Sequence, residues 1–224
     1  MADPIVAFDV NETLLDTAAL DPLFERHFGD AVMRRTWFSQ MLQIAFTGGL
    51  TGRYVDFSTA QRAAIAMLAR SQGIALDEEA VGDEVTTAMT RLPAHPDVVP
   101  ALDALRDGGL RVVTLSNSPP GAAEQQIENT GLRPSVDAVL TAGAIEALKP
   151  RPEAYRLAAD WGGVAIGDVW LVAAHAWDVS GALAAGCRAA FVARPGAVPS
   201  PVGPQPEIAA GDLREIATEI LKRR

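Results

Sequence analysis

Hydrophobic and polar residues follow two different rhythms along this chain. The first apolar run, Ile5-Val6-Ala7-Phe8, is short and bounded by Pro4 and Asp9, which predicts a strand buried in a parallel sheet. From about Thr17 to Ala94 the rhythm is helical, with Phe24, Phe28, Val32, Trp37, Met41, Ile44 and Ala45 at three- and four-residue steps. The glycine-rich stretch Thr47 to Gly52 predicts a break. A second helix is expected from Ser58, as N-cap, to Gly73, and a third from Asp77 to about Leu92, where Pro93 stops it.

Beyond Pro96 helices and strands alternate. Helices are expected over 98–108, 121–131, 151–162, 180–186 and 213–221, and strands over 110–115, 136–140, 169–173 and 189–192. Residues 194–206, rich in Pro and Gly, predict a loop. Strands separated by helices of about ten residues imply an α/β fold with a doubly wound parallel sheet covered on both faces. The expected organisation is a core domain from residues 1–16 and 95–224, with a helical cap domain, 17–94, inserted after the first strand.

Composition narrows the function. A net charge of −9 over 224 residues argues against a nucleic-acid partner, which needs a basic face. No apolar run reaches the ~18 residues of a membrane span, and no signal peptide is expected, so a soluble cytoplasmic protein is predicted. The single cysteine, Cys187, excludes an internal disulfide and reads as a buried apolar side chain.

The strand ends carry the candidate chemistry. Asp9 and Thr13 follow the first strand, Ser116 and Asn117 the second, Lys149 the third and Asp178 the fourth. Ligands in open α/β sheets bind at the carboxyl ends of the strands, so these side chains converge on one edge. Asp9 suits a nucleophile, and Lys149 a cation that keeps it ionised. The chain has 17 arginines but only two lysines, Lys149 and Lys222, so a lysine here stands out. Thr13 and Ser116 offer short hydroxyl donors to an anion.

This set resembles the haloacid dehalogenase superfamily of hydrolases along the whole chain. Most members are magnesium-dependent phosphatases with an aspartate two positions after the nucleophile and a metal-binding aspartate in the fourth motif. Here those positions are Asn11 and Ala174, which supply neither a general acid nor a metal ligand. The motifs Arg53-Tyr54-Val55-Asp56-Phe57, Ser116-Asn117-Ser118-Pro119, Lys149-Pro150 with Tyr155, and Ala176-Trp177-Asp178 resemble the type II L-2-haloacid dehalogenase branch.

That resemblance implies a metal-independent reaction without cofactors on a small 2-haloacid. Asp9 displaces halide from the α-carbon with inversion, and water positioned with help from Asp178 hydrolyses the resulting ester. Lys149 steadies the carboxylate and oxyanion, supported by Tyr155 and Thr13. Ser116 and the Val10 and Asn11 amides hold the substrate carboxylate, and Leu42, Phe57 and Trp177 line its alkyl part. The branch also implies a homodimer. Its halide-receiving arginine aligns with Phe38, with Arg34 and Arg35 about one turn earlier. Asn11, Asn117 and His175 are the substitute halide donors, and His175 is otherwise a base, a water ligand or a structural histidine. The other readings are a hydrolase of a different small carboxylate, a magnesium-dependent phosphatase, and a catalytically silent binding protein.

Overall fold

The computed structural model describes residues 4–223; the outermost positions of the expected core, 1–3 and 224, lie outside them. Six parallel strands form one sheet in the order β3-β2-β1-β4-β5-β6. They are β1 (Ile5–Phe8), β2 (Arg111–Ser116), β3 (Ala138–Thr141), β4 (Val169–Ala173), β5 (Arg188–Val192) and β6 (Ile208–Ala210). The chain winds outward from β1 to β3, then returns to the other side of β1 to form β4. The switch point therefore lies between β1 and β4, where a crevice opens at the strands' carboxyl ends.

Alternating side chains bind the sheet to both helical layers. Ile5 and Ala7 face a cluster containing Tyr155, Ala158 and Ala182 from α7 (Pro152–Gly162) and α8 (Ala176–Ala185). Val6 and Phe8 face the opposite cluster, which includes Leu102 and Leu105 of α5 (Val98–Asp107) and Ile216 and Ile220 of α9 (Leu213–Leu221). The remaining core helix, α6 (Pro120–Asn129), packs beside β3.

Between β1 and α5 lie α1 (Asp21–Phe28), α2 (Met33–Leu50), α3 (Phe57–Gln72) and α4 (Glu78–Met89). Their apolar stripes meet around Phe24, Trp37, Met41, Ile65 and Val85, all at most 0 % exposed. The chain's exit and return are pinned together, because Asp16 N–H donates to the Pro93 carbonyl at 2.8 Å and His95 N–H to that of Leu14 at 2.9 Å. Among the described residues no helix is long and apolar enough to cross a membrane.

Several boundaries differ from the sequence expectation. Helix α2 runs through Gly48 and Gly49 to Leu50, so the break begins only at Thr51. Gly48 is required there: a Cβ would lie 2.5 Å from the Arg53 carbonyl of the returning chain. The N-cap of α3 is Asp56, whose side chain accepts from Thr59 N–H, and not Ser58. Asp77 caps α4 as expected, though that helix ends at Met89. Helix α8 starts at Ala176 instead of Ser180, placing Asp178 in its first turn. Strand β6 was not expected; with three residues and only Ile208 buried, it is too short to declare a period.

Candidate active site

The strand-end side chains meet at the switch point. Asp9 is the first residue beyond β1, and its N–H still donates to the Val172 carbonyl of β4 at 3.0 Å. Its side chain is therefore aimed over the carboxyl edge of the sheet. Lys149 Nζ donates to Asp9 Oδ1 at 2.9 Å and to Asp178 Oδ2 at 2.6 Å, and neither Lys149 nor Asp178 has any exposed side-chain surface. Tyr155 donates its hydroxyl to Asp178 Oδ1 at 2.7 Å. Thr13 donates to the other Asp9 oxygen at 2.6 Å and accepts from the Ala174 N–H, which locks its rotamer. Five sequence candidates thus share one hydrogen-bonded array: Asp9, Thr13, Lys149, Tyr155 and Asp178.

Electrostatics divide labour between the two acids. Burial pushes the Asp9 carboxyl up, but Lys149, His175 and Thr13 outweigh it and hold the group below the ordinary carboxylate range. Burial raises Asp178, and the neighbouring Asp9 charge adds to the rise against the pull of Lys149. Burial opposes the Lys149 charge, yet Asp178 and Asp9 together keep its ammonium above its usual value. The arrangement is an ionised carboxylate at Asp9, a fixed cation and a second carboxylate with raised proton affinity.

The remaining candidates take other places. Asn117 braces Lys149: it accepts from the Lys149 N–H at 2.7 Å and donates to the Lys149 carbonyl at 3.0 Å. Asn11 is turned to Gln126, which donates to its Oδ1 at 2.9 Å and to the Met89 carbonyl at 2.8 Å. Ser116 Oγ accepts from the Ser118 N–H, shaping the turn after β2. The Val10 and Asn11 N–H groups donate to no protein acceptor in the described residues, which leaves two donors beside Asp9. Phe57 is buried in the helical core at the start of α3, and Leu42 packs against the same core. Cys187 is a buried thiol pushed up to about 12 by burial.

His175 lies close to Asp9. Its ring stacks between Phe38, with centroids 5.7 Å apart, and Trp177, at 5.3 Å. Its Nε2 is 3.2 Å from the Asn11 carbonyl and 3.8 Å from Asp9 Oδ2. Outside it lies a cavity of about 520 Å³ whose wall includes Glu12, Arg34, Phe38, His175 and Arg194 but not Asp9, Leu42, Phe57 or Trp177. His175 lines that cavity and also reaches Asp9. Arg34 is committed to Asp21 at 2.5 Å, Thr17 at 2.7 Å and Glu12 at 3.3 Å. Arg35 guanidinium rests over Gly196 of the loop after β5. Sequence reasoning passed over Glu12, Gln126 and Arg194, although Glu12 lies inside the motif that carries Asp9. Arg194 donates twice to the Thr13 carbonyl and once to Asp97, bracing the loop that carries Asp9.

The donor set does not fit a magnesium ion. A hard divalent cation prefers about six oxygens. Here the Lys149 ammonium occupies the space between the two carboxylates, and Ala174 contributes only a methyl. Among the described residues no three His, Cys, Asp or Glu side chains are grouped to hold a metal ion.

Comparison with known proteins agrees with this geometry. Residues 4–186 match the family model for haloacid dehalogenase-like hydrolases. An (S)-2-haloacid dehalogenase of Xanthobacter autotrophicus is 32% identical over 192 residues, spanning 84% of this chain and 74% of the relative. Haloacetate dehalogenase H-2 of Moraxella sp. (strain B) is 28% identical, with 90% of this chain and 91% of the relative covered. The solved structure of L-2-haloacid dehalogenase from X. autotrophicus with chloropropionic acid covalently bound matches with a TM-score of 0.90. The two are 26% identical, and the match covers 97% of this chain and 98% of that one. A match that begins at the first strand and runs beyond Asp178, on a fold shared over nearly its full length, makes this chain a member of the haloacid dehalogenase-like hydrolases.

Proposed function

We propose that the protein is a hydrolytic dehalogenase of small (S)-2-haloacids that works through a covalent Asp9 ester without a metal ion. The observation that carries this reading is the Lys149 ammonium bonded to both Asp9 and Asp178 at the switch point. The names of the relatives supply the substrate class. Residues 17–94 act as the cap over the site, and the enzyme works in the cytoplasm.

In the first step an Asp9 oxygen attacks the α-carbon opposite the carbon–halogen bond. A carbon–oxygen bond forms, the configuration inverts, and halide leaves with the bonding electrons. A halide departs without protonation, so Asn11 in place of a general acid costs nothing. The Val10 and Asn11 amides and Ser116 hold the substrate carboxylate. The Asn11 side-chain amide, whose oxygen alone is engaged by Gln126, and the second N–H of Asn117, whose first is given to the Lys149 carbonyl, are the donors left for the departing anion. Phe38 and Trp177 hold the His175 ring by stacking on both faces.

In the second step water attacks the ester carbonyl. Lys149 and Thr13 stabilise the oxyanion as it develops. The raised proton affinity of Asp178 suits it to take the water's proton, with Lys149 and Tyr155 holding its carboxylate. Collapse of the intermediate breaks the bond to the alkoxide, which takes the proton of the added hydroxyl and leaves as the 2-hydroxy acid; Asp9 is again a carboxylate, and the proton held by Asp178 passes to solvent. Halide release from chloro-, bromo- and fluoroacetate and from both 2-chloropropionate enantiomers, in EDTA, tests the reading. Turnover of the S enantiomer alone is expected. No halide from any of them, with magnesium-dependent hydrolysis of a phosphate ester, would overturn it.

A further inference from the structure

A second polar cluster lies on the cavity side of His175, outside the groups assigned above. Glu12 occupies a left-handed backbone position, φ 63°, that ordinarily falls to glycine or asparagine. The conformation swings its carboxylate between the helical block and the start of α8, and its two oxygens are divided. One accepts from Thr17 Oγ1 at 2.9 Å and lies 3.3 Å from Arg34 Nη1. The other lies 3.8 Å from His175 Nε2. Arg34 is 6 % exposed, and Asp21 holds it from the opposite side.

The surroundings of His175 Nε2 determine which ring nitrogen carries hydrogen. Three oxygens face it: the Asn11 carbonyl and the Asp9 and Glu12 carboxylates. A nitrogen ringed by acceptors carries the hydrogen and donates it. We propose that Glu12 is a positioning residue that pins the His175 ring with its Nε2–H toward Asp9, and that Arg34 and Thr17 fix Glu12 in that role. The catalytic consequence rests on the dehalogenase reading: the pinned N–H faces Asp9 Oδ2 and steadies the carboxylate that attacks. The cap helix α2 thereby reaches the reacting centre through a relay of Arg34, Glu12 and His175.

The test is the tautomer of His175, read by two-bond ¹H–¹⁵N correlation in histidine-labelled protein and assigned by loss of the signal in His175→Asn. Wild type is expected to show the Nε2–H pattern. Glu12→Gln, matched in shape, is expected to show mixed tautomers once the carboxylate charge 3.8 Å from Nε2 is removed, with kcat for halide release down about tenfold and KM changed less than about twofold. Glu12→Asp, which keeps the charge but withdraws it, is read by the same criteria if Glu12→Gln does not fold. An intact Nε2–H signature in the folded variant, or a lost signature with unchanged kcat, overturns the proposal. The tautomer needs no turnover, so failure of every haloacid substrate would sink the dehalogenase reading while the tautomer alone decided this one.

Discussion

Asn117 grips the backbone of Lys149 at both ends of one residue, accepting from its N–H at 2.7 Å and donating to its carbonyl at 3.0 Å. The two are 32 residues apart in sequence and both buried. The clamp fixes the origin of a long, flexible side chain, so that its ammonium meets Asp9 and Asp178 with little further loss of freedom. Asn117→Ala is expected to cost about 1–3 kcal/mol by stranding two buried backbone groups. Its turnover should fall further than its stability, because Lys149 is no longer aimed. Urea denaturation and halide-release kinetics on the same preparation check both, and a stability loss with normal kcat would count against the clamp.

Asp9→Asn removes the nucleophile while leaving the Lys149–Asp178 pair in place. Halide release is expected to vanish with the fold intact by circular dichroism. In wild type, intact mass measured during turnover should show a transient adduct of one substrate acid less halide. Normal activity in the variant would sink the nucleophile assignment.

Lys149→Met leaves two buried carboxylates facing each other without a counter-charge. Breaking such a buried network is expected to cost about 3–5 kcal/mol. The rate should fall by at least ~10³, since nucleophile ionisation and oxyanion stabilisation are lost together. Single-turnover kinetics on the folded fraction separate the two effects, and a mild rate effect would make Lys149 structural.

Gly181 is the close-approach glycine of the site. A Cβ there would fall on the Tyr155 hydroxyl and the Pro150 ring. Gly181→Ala is expected to push Tyr155 from Asp178, destabilise by about 1–3 kcal/mol and lower kcat. A thermal melt and a rate assay check this; a neutral result would show that α8 can shift freely.

Asp97 ties the acid limb of stability to the loop that carries Asp9. Burial raises its carboxyl, but hydrogen bonds from Arg194 and the Leu213 N–H outweigh burial and hold it below the ordinary value. Depression in the folded state means the group stabilises above its unfolded value and loses that contribution as pH falls through its folded value. The melting-temperature advantage of wild type over Asp97→Asn should therefore shrink from about pH 6 to about pH 3. An advantage independent of pH would exclude the linkage.

The chain's own pattern determined the parallel α/β core, the helices between the first two strands, and the list of strand-end residues that includes Asp9, Lys149 and Asp178. Those features are legible because burial imposes a period on local sequence and a parallel sheet gathers its strand ends on one edge. Only the tertiary structure decided which of those side chains join Asp9 and Lys149 in one hydrogen-bonded array. Asn117 turns to Lys149, and Asn11 meets Gln126 across 115 residues of sequence. Glu12 meets Arg34 of α2 and His175 beside α8, while Phe38 and Trp177 close on that ring from different elements. The direction of a polar side chain beyond a strand is set by hydrogen-bond partners far away in the chain, and no local period records them.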